Sequence, residues 1–401
     1  MRKKLMVLGG SLFALPAIRA AHEQGYYVIT CDYLPDNVAH RYSDEYHNVS
    51  VIDCDAVLGV ARECRIDGII SFACDAGAVA AAYVQEQMGL PSIGPYESVC
   101  ILQDKSRFRR FLTENGFVVP KAKGYASVEE ALADRDWYSW PVIVKPTDSA
   151  GSKGVTRVDR YEDLKPALEW AFKHALHGHI IVEEFIEKQG CSSDSDCFSV
   201  DGELTFASFS AQRFDENAVG MFVPAAYSWP SSMNMQQEAE LTAEIQRLLT
   251  LLGMRTAIYN VETRIGKNSK GYIMEVSPRA GGNRLAEIVS MATGVDLVTA
   301  SVRTAVGDGI GDIRMKPYQG HWAEIILHAP KAGTFSRLIV DNDKVGAEII
   351  DQMLTVDLGD WVEAFDGGNH AIGTLVVKFP TARELERAMG DIDSWVKVEL
   401  L

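Results

Sequence analysis

The chain has 401 residues, more than one hydrophobic core usually serves, and a composition ordinary for a globular enzyme, so two or three domains are expected. Its formal net charge of -16 excludes a general nucleic-acid binder, because neutralising phosphates needs a basic surface, although a local basic pocket for a nucleotide is compatible with it. The 7 cysteines are odd in number, scattered and never spaced CxxC, which fits a reducing cytoplasm better than a disulfide framework or a zinc site.

The basic start and apolar run of residues 1–21 have the look of a secretory leader. Gly9, Gly10 and Ser11 interrupt the run, and Arg19 sits where a small residue should precede cleavage. A strand over 5–8, a glycine turn, a helix over 14–24 and a second strand over 26–32 are expected instead. No apolar stretch of membrane length is free of charge or glycine, so no span is expected. A helix over 56–64 leads to a strand over 68–72 with Asp75 just beyond its carboxyl end. Open α/β sheets bind ligands beyond those ends, making Asp75 and the turn at Gly9 to Ser11 candidates for substrate contact. The turn lacks full GxGxxG spacing, and close packing of strand on helix explains it equally well.

From Asp104 the character changes. An amphipathic helix over 105–112 begins at Lys105 and stops at Asn115-Gly116, and a strand over 141–146 carries Lys145 near its end. A loop of small residues follows, with Ser149, Gly151, Ser152, Lys153 and Gly154, and it joins two strands. It does not match GxxxxGK[ST], which excludes a Walker loop; its amides can still fold over phosphates, and a surface hairpin is the plain alternative. The strand over 179–185 ends at Glu183, Glu184, Phe185 and Ile186, where free backbone groups in an apolar slot would suit an adenine ring. Asp194 or Glu187 would then accept from ribose hydroxyls. A helix over 237–252 follows.

Residues 259–284, YNVETRIGKNSKGYIMEVSPRAGGNR, read as a hairpin around a polar Gly/Asn loop. With the turn centred between Asn268 and Ser269, Glu262 falls opposite Glu275 and Asn260 opposite Ser277. Period two then puts Asn260, Glu262, Arg264, Glu275 and Ser277 on one face, and Tyr259, Val261, Ile265, Tyr272, Met274 and Val276 on the other. Like charges directly opposite cost up to ~1 kcal/mol, a cost that a hard divalent cation would remove. Taken alone, the hairpin is equally compatible with a solvated face. Arg213, the segment 222–224 and the loop 280–283 are candidates for an acceptor pocket. The loop leads into a helix over 285–293, and residues 312–401 read as a smaller unit with strands over 320–327 and 371–378 and a helix over 382–390.

In this order, Lys105, Lys145, the loop from Ser149 to Gly154, the strand VEEFI, and Glu262, Glu275 and Arg279 resemble the ATP-grasp superfamily. The resemblance is strongest to its carboxylate-amine ligases of the glycinamide ribonucleotide synthetase, biotin carboxylase and amino-acid ligase type, and covers nearly the whole chain. It implies that Lys105 and Lys145 contact ATP phosphates, with Lys145 also near adenine. It further implies that the loop is a lid over the phosphates, that Glu183 to Ile186 form the adenine hinge, and that Glu262 and Glu275 hold magnesium or manganese. Arg279 would steady an acyl phosphate. One departure stands out: the family commonly reads Glu-x-Asn-x-Arg where this chain has Glu275-Val276-Ser277-Pro278-Arg279. Either Ser277 or the facing Asn260 would complete the metal site.

The resulting expectation is an α/β chain in three parts. Residues 1–102 form an open parallel-sheet domain, 103–310 an ATP-grasp α+β domain with a lid over about 121–195, and 311–401 a carboxy-terminal sheet domain. The expected activity is ADP-forming ligation of small-molecule carboxylates and amines through an acyl phosphate, in the cytoplasm, by a homodimer, with no nucleic-acid or membrane partner. The rival readings are a purine-pathway or bicarbonate-using enzyme and a non-catalytic nucleotide-binding regulator.

Overall fold

A computed structural model describes residues 2–148 and 153–401. The amino-terminal part is a parallel sheet of strands β1 (Lys4–Leu8), β2 (Tyr27–Asp32), β3 (Glu45–Asn48) and β4 (Gly68–Ser71), in the order β3-β2-β1-β4. Helices α1 (Leu15–Glu23), α2 (Cys54–Cys64) and α3 (Asp75–Met88) cover it. Leu5 and Val7 of β1 pack with α1, while Met6 and Leu8 pack with α2 and α3. Both faces are therefore dry, which is why β1 reads as an unbroken apolar run.

Helices α4 (Tyr96–Gln103) and α5 (Lys105–Glu114) lead out of this domain. The Asp104 side chain accepts from the backbone N–H of Arg107, a cap that starts α5 with Lys105 in its first turn. Next comes an antiparallel sheet, ordered β5-β8-β6-β7, from β5 (Ala122–Tyr125), β6 (Val142–Pro146), β7 (Thr156–Val158) and β8 (Ile180–Glu184). Helices α6 (Val128–Ala133) and α7 (Leu164–His174) pack on it around their own small core. The expected lid loop joins β6 to β7, as the sequence indicated; Ser149, Gly151 and Ser152 lie outside the described residues.

The chain then forms β9 (Ser193–Val200), β10 (Glu203–Ala207), β11 (Ala211–Phe214) and β12 (Pro224–Trp229), followed by α8 (Met235–Leu251), which opens with a capping box at Asn234. The hairpin of β13 (Ala257–Ile265) and β14 (Gly271–Ser277) joins the earlier strands in a sheet ordered β10-β9-β13-β14. Its outer face packs on α8 through Tyr259, Val261, Ile273 and Val276. Helices α9 (Leu285–Thr293) and α10 (Leu297–Ala305) return the chain to the amino-terminal sheet, where α10 lies beside α1. Among the described residues no single helix is long and apolar enough to cross a membrane.

The rest of the chain adds β15 (His321–Leu327), β16 (Gly333–Val340), α11 (Asn342–Val345), β17 (Glu348–Leu354), β18 (Trp361–Val362), β19 (Gly373–Phe379), α12 (Ala382–Met389) and β20 (Val396–Leu400). Three of these strands extend a sheet that starts earlier, in the order β11-β12-β15-β19-β17, and β16, β18 and β20 form a small sheet beside it. Strands from before and after residue 310 thus share one ladder, with Ala226 paired to Ile325 and Tyr227 to Glu324.

Candidate active site

The hairpin register is the one the sequence spacing predicts: Glu262 pairs with Glu275 and Asn260 with Ser277. On its other side β13 pairs with β9, setting Asp194 across from Glu262 and Asp196 across from Asn260. Three neighbouring strands therefore carry two rows on one face, Asp194-Glu262-Glu275 and Asp196-Asn260-Ser277. Toward the turn the ladder slips by one residue at a bulge after Glu262, so Thr263 faces Ile273 and Met274 is the extra residue. This corrects the expected faces: Ile273 takes the core position, and Met274 lines the cavity in front of the sheet beside Glu275.

Close-set acids leave a mark on one another. Burial, together with the charge of Glu262, pushes Asp194 up to about 7, and burial pushes Asp196 up to about 7. Glu262 is raised by burial and by Glu275. Asn260 donates its amide N–H to Asp194 Oδ1 at 2.6 Å, and the backbone N–H of Gly281 donates to Asp196 Oδ1 at 2.8 Å. Among the described residues Asp196 Oδ2 is buried and has no partner. A set of hard oxygen donors, unwilling to ionise together and incompletely hydrogen-bonded, fits a hard divalent cation.

Cations ring the acids. Lys105 Nζ lies 3.4 Å from Glu275 Oε2, and although burial disfavours its charge, Glu275 and Asp75 raise it. Lys145 Nζ lies 2.7 Å from Glu183 Oε2, and Arg109 Nε donates to Glu183 Oε1 at 2.8 Å. Burial opposes ionisation of Glu183, yet the charges of Arg109 and Lys145 outweigh it and hold the carboxyl down to about 2. Arg109 also donates to the carbonyls of Ile273 and Met274, at 3.4 and 2.7 Å, clamping the bulge ahead of Glu275. Arg279 forms a two-pronged bond to Asp75, at 2.8 and 2.6 Å, and donates to the Ala280 carbonyl at 2.9 Å.

These groups open on a cavity of about 460 Å3. One end is an apolar slot of Ile143, Val155, Phe185, Ile186 and Met274; the other reaches Tyr227, Asn283 and, from the carboxy-terminal part, Asn369. At the slot, Glu184 N–H bonds to Lys121 O and Phe185 N–H to Pro141 O, while Ile186 O accepts from Arg264. Glu184, Phe185 and Ile186 themselves line the cavity at this strand exit.

Residues 138–287 match the family model described as "ATP-grasp domain". They form an ATP-grasp domain. Over the whole chain, the fold is similar to L-amino acid ligase from Bacillus licheniformis, with a TM-score of 0.81, 19% identity, and coverage of 100% of this chain and 99% of that one. It is similar also to phosphoribosylglycinamide synthetase from Anaerococcus prevotii, with a TM-score of 0.76, 20% identity and full coverage of both chains. In sequence, the chain is 26% identical over 328 residues to the carbamoyl phosphate synthase large chain of Ralstonia nicotianae, covering 78% of this chain and 30% of that protein. The chain thus spans less than a third of the length of that curated relative.

In the ATP-grasp domain and its surround, most of the predicted site residues converge. Lys105, Lys145, Lys153, Glu183, Glu184, Phe185, Ile186, Asp194, Glu262, Glu275 and Arg279 all line the cavity. Gly154 holds a left-handed turn, φ 73°, with a Cβ there 2.9 Å from His174 Cβ. Ser277 is buried beside Asp75 instead of lining the open cavity. One assignment changes. The Glu183 side chain holds Lys145 and Arg109 and takes no part in the slot's edge, because alternation along β8 turns it to the interior. Asp194, read from its place in sequence as a ribose acceptor, sits in the row of acids beside Glu262, because β9 runs directly along β13. Arg213 turns away from the cavity to Glu386 and Ser228, while its neighbours Gln212 and Phe214 line it. Sequence reading missed Asp196, Arg109 and Tyr227, whose hydroxyl donates to Asp194 Oδ2 at 3.2 Å. The alternation Ser-Asp-Ser-Asp at 193–196 was the available signal for Asp196.

Proposed function

We propose that the chain is an ATP-dependent, ADP-forming carboxylate-amine ligase that works through an acyl phosphate. The observation that carries this reading is Glu262 facing Glu275 across the hairpin, with Lys105 on one carboxylate and Arg279 just beyond the strand. Binding adenine alone needs none of these four groups. The apolar slot takes the base, with backbone groups of Glu184 to Ile186 reading its edge, and Lys105 and Lys145 take phosphate oxygens. Glu262 and Glu275, with Asn260, would hold Mg2+ or Mn2+, which supplies positive charge to the transferred phosphoryl group.

The substrate carboxylate attacks the γ-phosphorus, forming an O–P bond as the bond to ADP breaks. The amine then attacks the acyl carbon and inorganic phosphate leaves. Arg279, with two guanidinium hydrogens on Asp75 and one on Ala280 O, keeps two for the developing charge. Lys105, next to Glu275, adds a second positive charge. The 19% identical L-amino acid ligase fold supports amino acids or peptides as substrates. A second reading, with a one-carbon carboxylate such as bicarbonate, is favoured by the sequence relationship to carbamoyl phosphate synthase. A homodimer is the assembly proposed.

An ADP-release screen against amino acids, small carboxylates, bicarbonate and amines, with products identified by mass spectrometry, tests both. The expected result is release that requires a carboxylate and is completed by an amine. Tight nucleotide binding with no release under any pairing would leave a nucleotide-binding regulator in its place.

A further inference from the structure

Away from the cavity, the outer edge of the amino-terminal sheet gathers a second set of metal-ligating side chains. Glu45 and His47 stand two residues apart on β3, so they project to one face, and Cys64 is the last residue of α2. His47 Nε2 is 2.8 Å from Glu45 Oε1 and 3.4 Å from Cys64 Sγ, and Sγ is 3.8 Å from Glu45 Oε1. All three donor atoms lie within 4.8 Å of one another, and none of these residues lines the ATP-grasp cavity.

We propose that Glu45, His47 and Cys64 form a binding site for a thiophilic divalent cation, Zn2+ first among them, distinct from the magnesium-type site of the cavity. Tetrahedral zinc bonds, about 2.0–2.3 Å long, set neighbouring donor atoms roughly 3.4–3.6 Å apart. The two separations that involve sulfur bracket that value. The His47 to Glu45 separation must widen by about 0.6 Å, as their direct hydrogen bond gives way to a shared ion. Tyr27 donates its hydroxyl to Glu45 Oε2 at 3.2 Å, which fixes the carboxylate with Oε1 turned to the cluster. Cys31, paired with His47 in the β2–β3 register and sharing the Cys64 apolar cluster, is one candidate for a fourth ligand, although it stands outside the group of donors within 4.8 Å of one another. Water is the other.

The donor set decides the metal. Thiolate and imidazole favour zinc over magnesium, whereas the oxygen-only rows in the cavity favour the reverse. Lys4, whose charge is like that of the cation and is felt by both Glu45 and Cys64, has its Nζ engaged by the Cys64 carbonyl at 2.9 Å. Cys64 releases its thiol proton to water on binding, so that two anionic ligands face the cation. Glu45 and His47 side chains are 36% and 25% exposed, giving the ion a way in, while Cys64 is buried. An ion there ties the edge strand β3 to the end of α2, and its binding energy adds to folding stability. The cysteine spacing could not announce this site, because its ligands come from a strand and from a helix end that the fold brings together.

The test uses the full chain with Glu275→Gln, which removes one competing carboxylate, stripped with a chelator and titrated with Zn2+ against a chromophoric chelator, and separately with Co2+. One equivalent of Zn2+ should bind and raise the melting temperature, and Co2+ should give a thiolate-to-cobalt charge-transfer band. Cys64→Ser should abolish the band, and His47→Gln, on a half-exposed edge strand, should weaken Zn2+ binding by roughly tenfold or more. Cys64→Ser in the otherwise native chain should leave ADP release unchanged. A Co2+ complex without the thiolate band, or Zn2+ affinity unmoved by both substitutions in chains with native circular dichroism, would overturn the proposal.

Discussion

The guanidinium of Arg279 grips both carboxylate oxygens of Asp75, so the exit of the β13–β14 hairpin is bonded to the first turn of α3 in a different sheet domain. If Arg279 also stabilises transferred phosphoryl charge, its removal strikes turnover more than ATP affinity. Arg279→Ala should lower kcat roughly a hundredfold or more, with Arg279→Lys a partial rescue because it loses the planar fork. Melting temperature, ATP affinity and single-turnover rate measured on one sample decide the matter. An unstable variant with a normal rate per folded molecule would reduce Arg279 to a tether for Asp75.

Glu275→Gln should nearly abolish turnover and leave the fold intact, since it removes a metal-directed charge and relieves the repulsion with Glu262. Without magnesium the variant should melt no lower than the native chain. Turnover at the native rate would show that the facing glutamates do not serve a metal.

The pH dependence follows from Asp194 and Asp196, each held at about 7 against an ordinary value of 3.8. Between those values the folded chain keeps protons that the unfolded chain has released, so these two groups make stability fall as pH rises through that window. Mg2+ favours the ionised forms, so its stabilising effect should be larger near about pH 8 than near about pH 5.5. Thermal melts at both pH values, with and without Mg2+, should show this difference, and Asp194→Asn should shrink it. An equal Mg2+ effect at the two pH values would argue against carboxylate binding of the ion.

Gly281→Ala should cost about 1–3 kcal/mol and weaken magnesium-dependent nucleotide binding. A Cβ there would stand 2.6 Å from Leu285 Cδ1, 2.8 Å from Asn260 Nδ2 and 3.0 Å from Asp196 Oδ1. Crowding at the first atom strains the core, and crowding at the other two disturbs the Asp196-Asn260 row. Denaturant unfolding and nucleotide titration would check it, and an alanine variant with native values on both would mean the row tolerates the shift.

Side-chain period two makes the face shared by Asn260, Glu262, Glu275 and Ser277 legible in the sequence, but the turn is centred on Asn268, half a residue from the expected centre, and the Glu262–Glu275 pairing holds because the bulge restores the register beyond it. The bulge at Met274 was not readable. It depends on Arg109, more than 160 residues earlier, capturing the Ile273 and Met274 carbonyls. Glu183 was likewise seen as a strand residue near a hinge, because its partners Arg109 and Lys145 come from a helix and a strand that only the fold juxtaposes. The ladder of Tyr227 with Glu324 joins segments about a hundred residues apart, and local periodicity carries no information on such pairing.

That ladder has a practical consequence for engineering. Cutting the chain before β15 would expose the backbone of β12 along a full edge, and an open apolar edge of that kind recruits other chains. Grafting a foreign carboxy-terminal segment to alter the cavity wall at Asn369 would succeed only if the donor strand keeps Ala226 opposite residue 325 and Tyr227 opposite residue 324. A one-residue slip would turn Tyr227 away from Asp194.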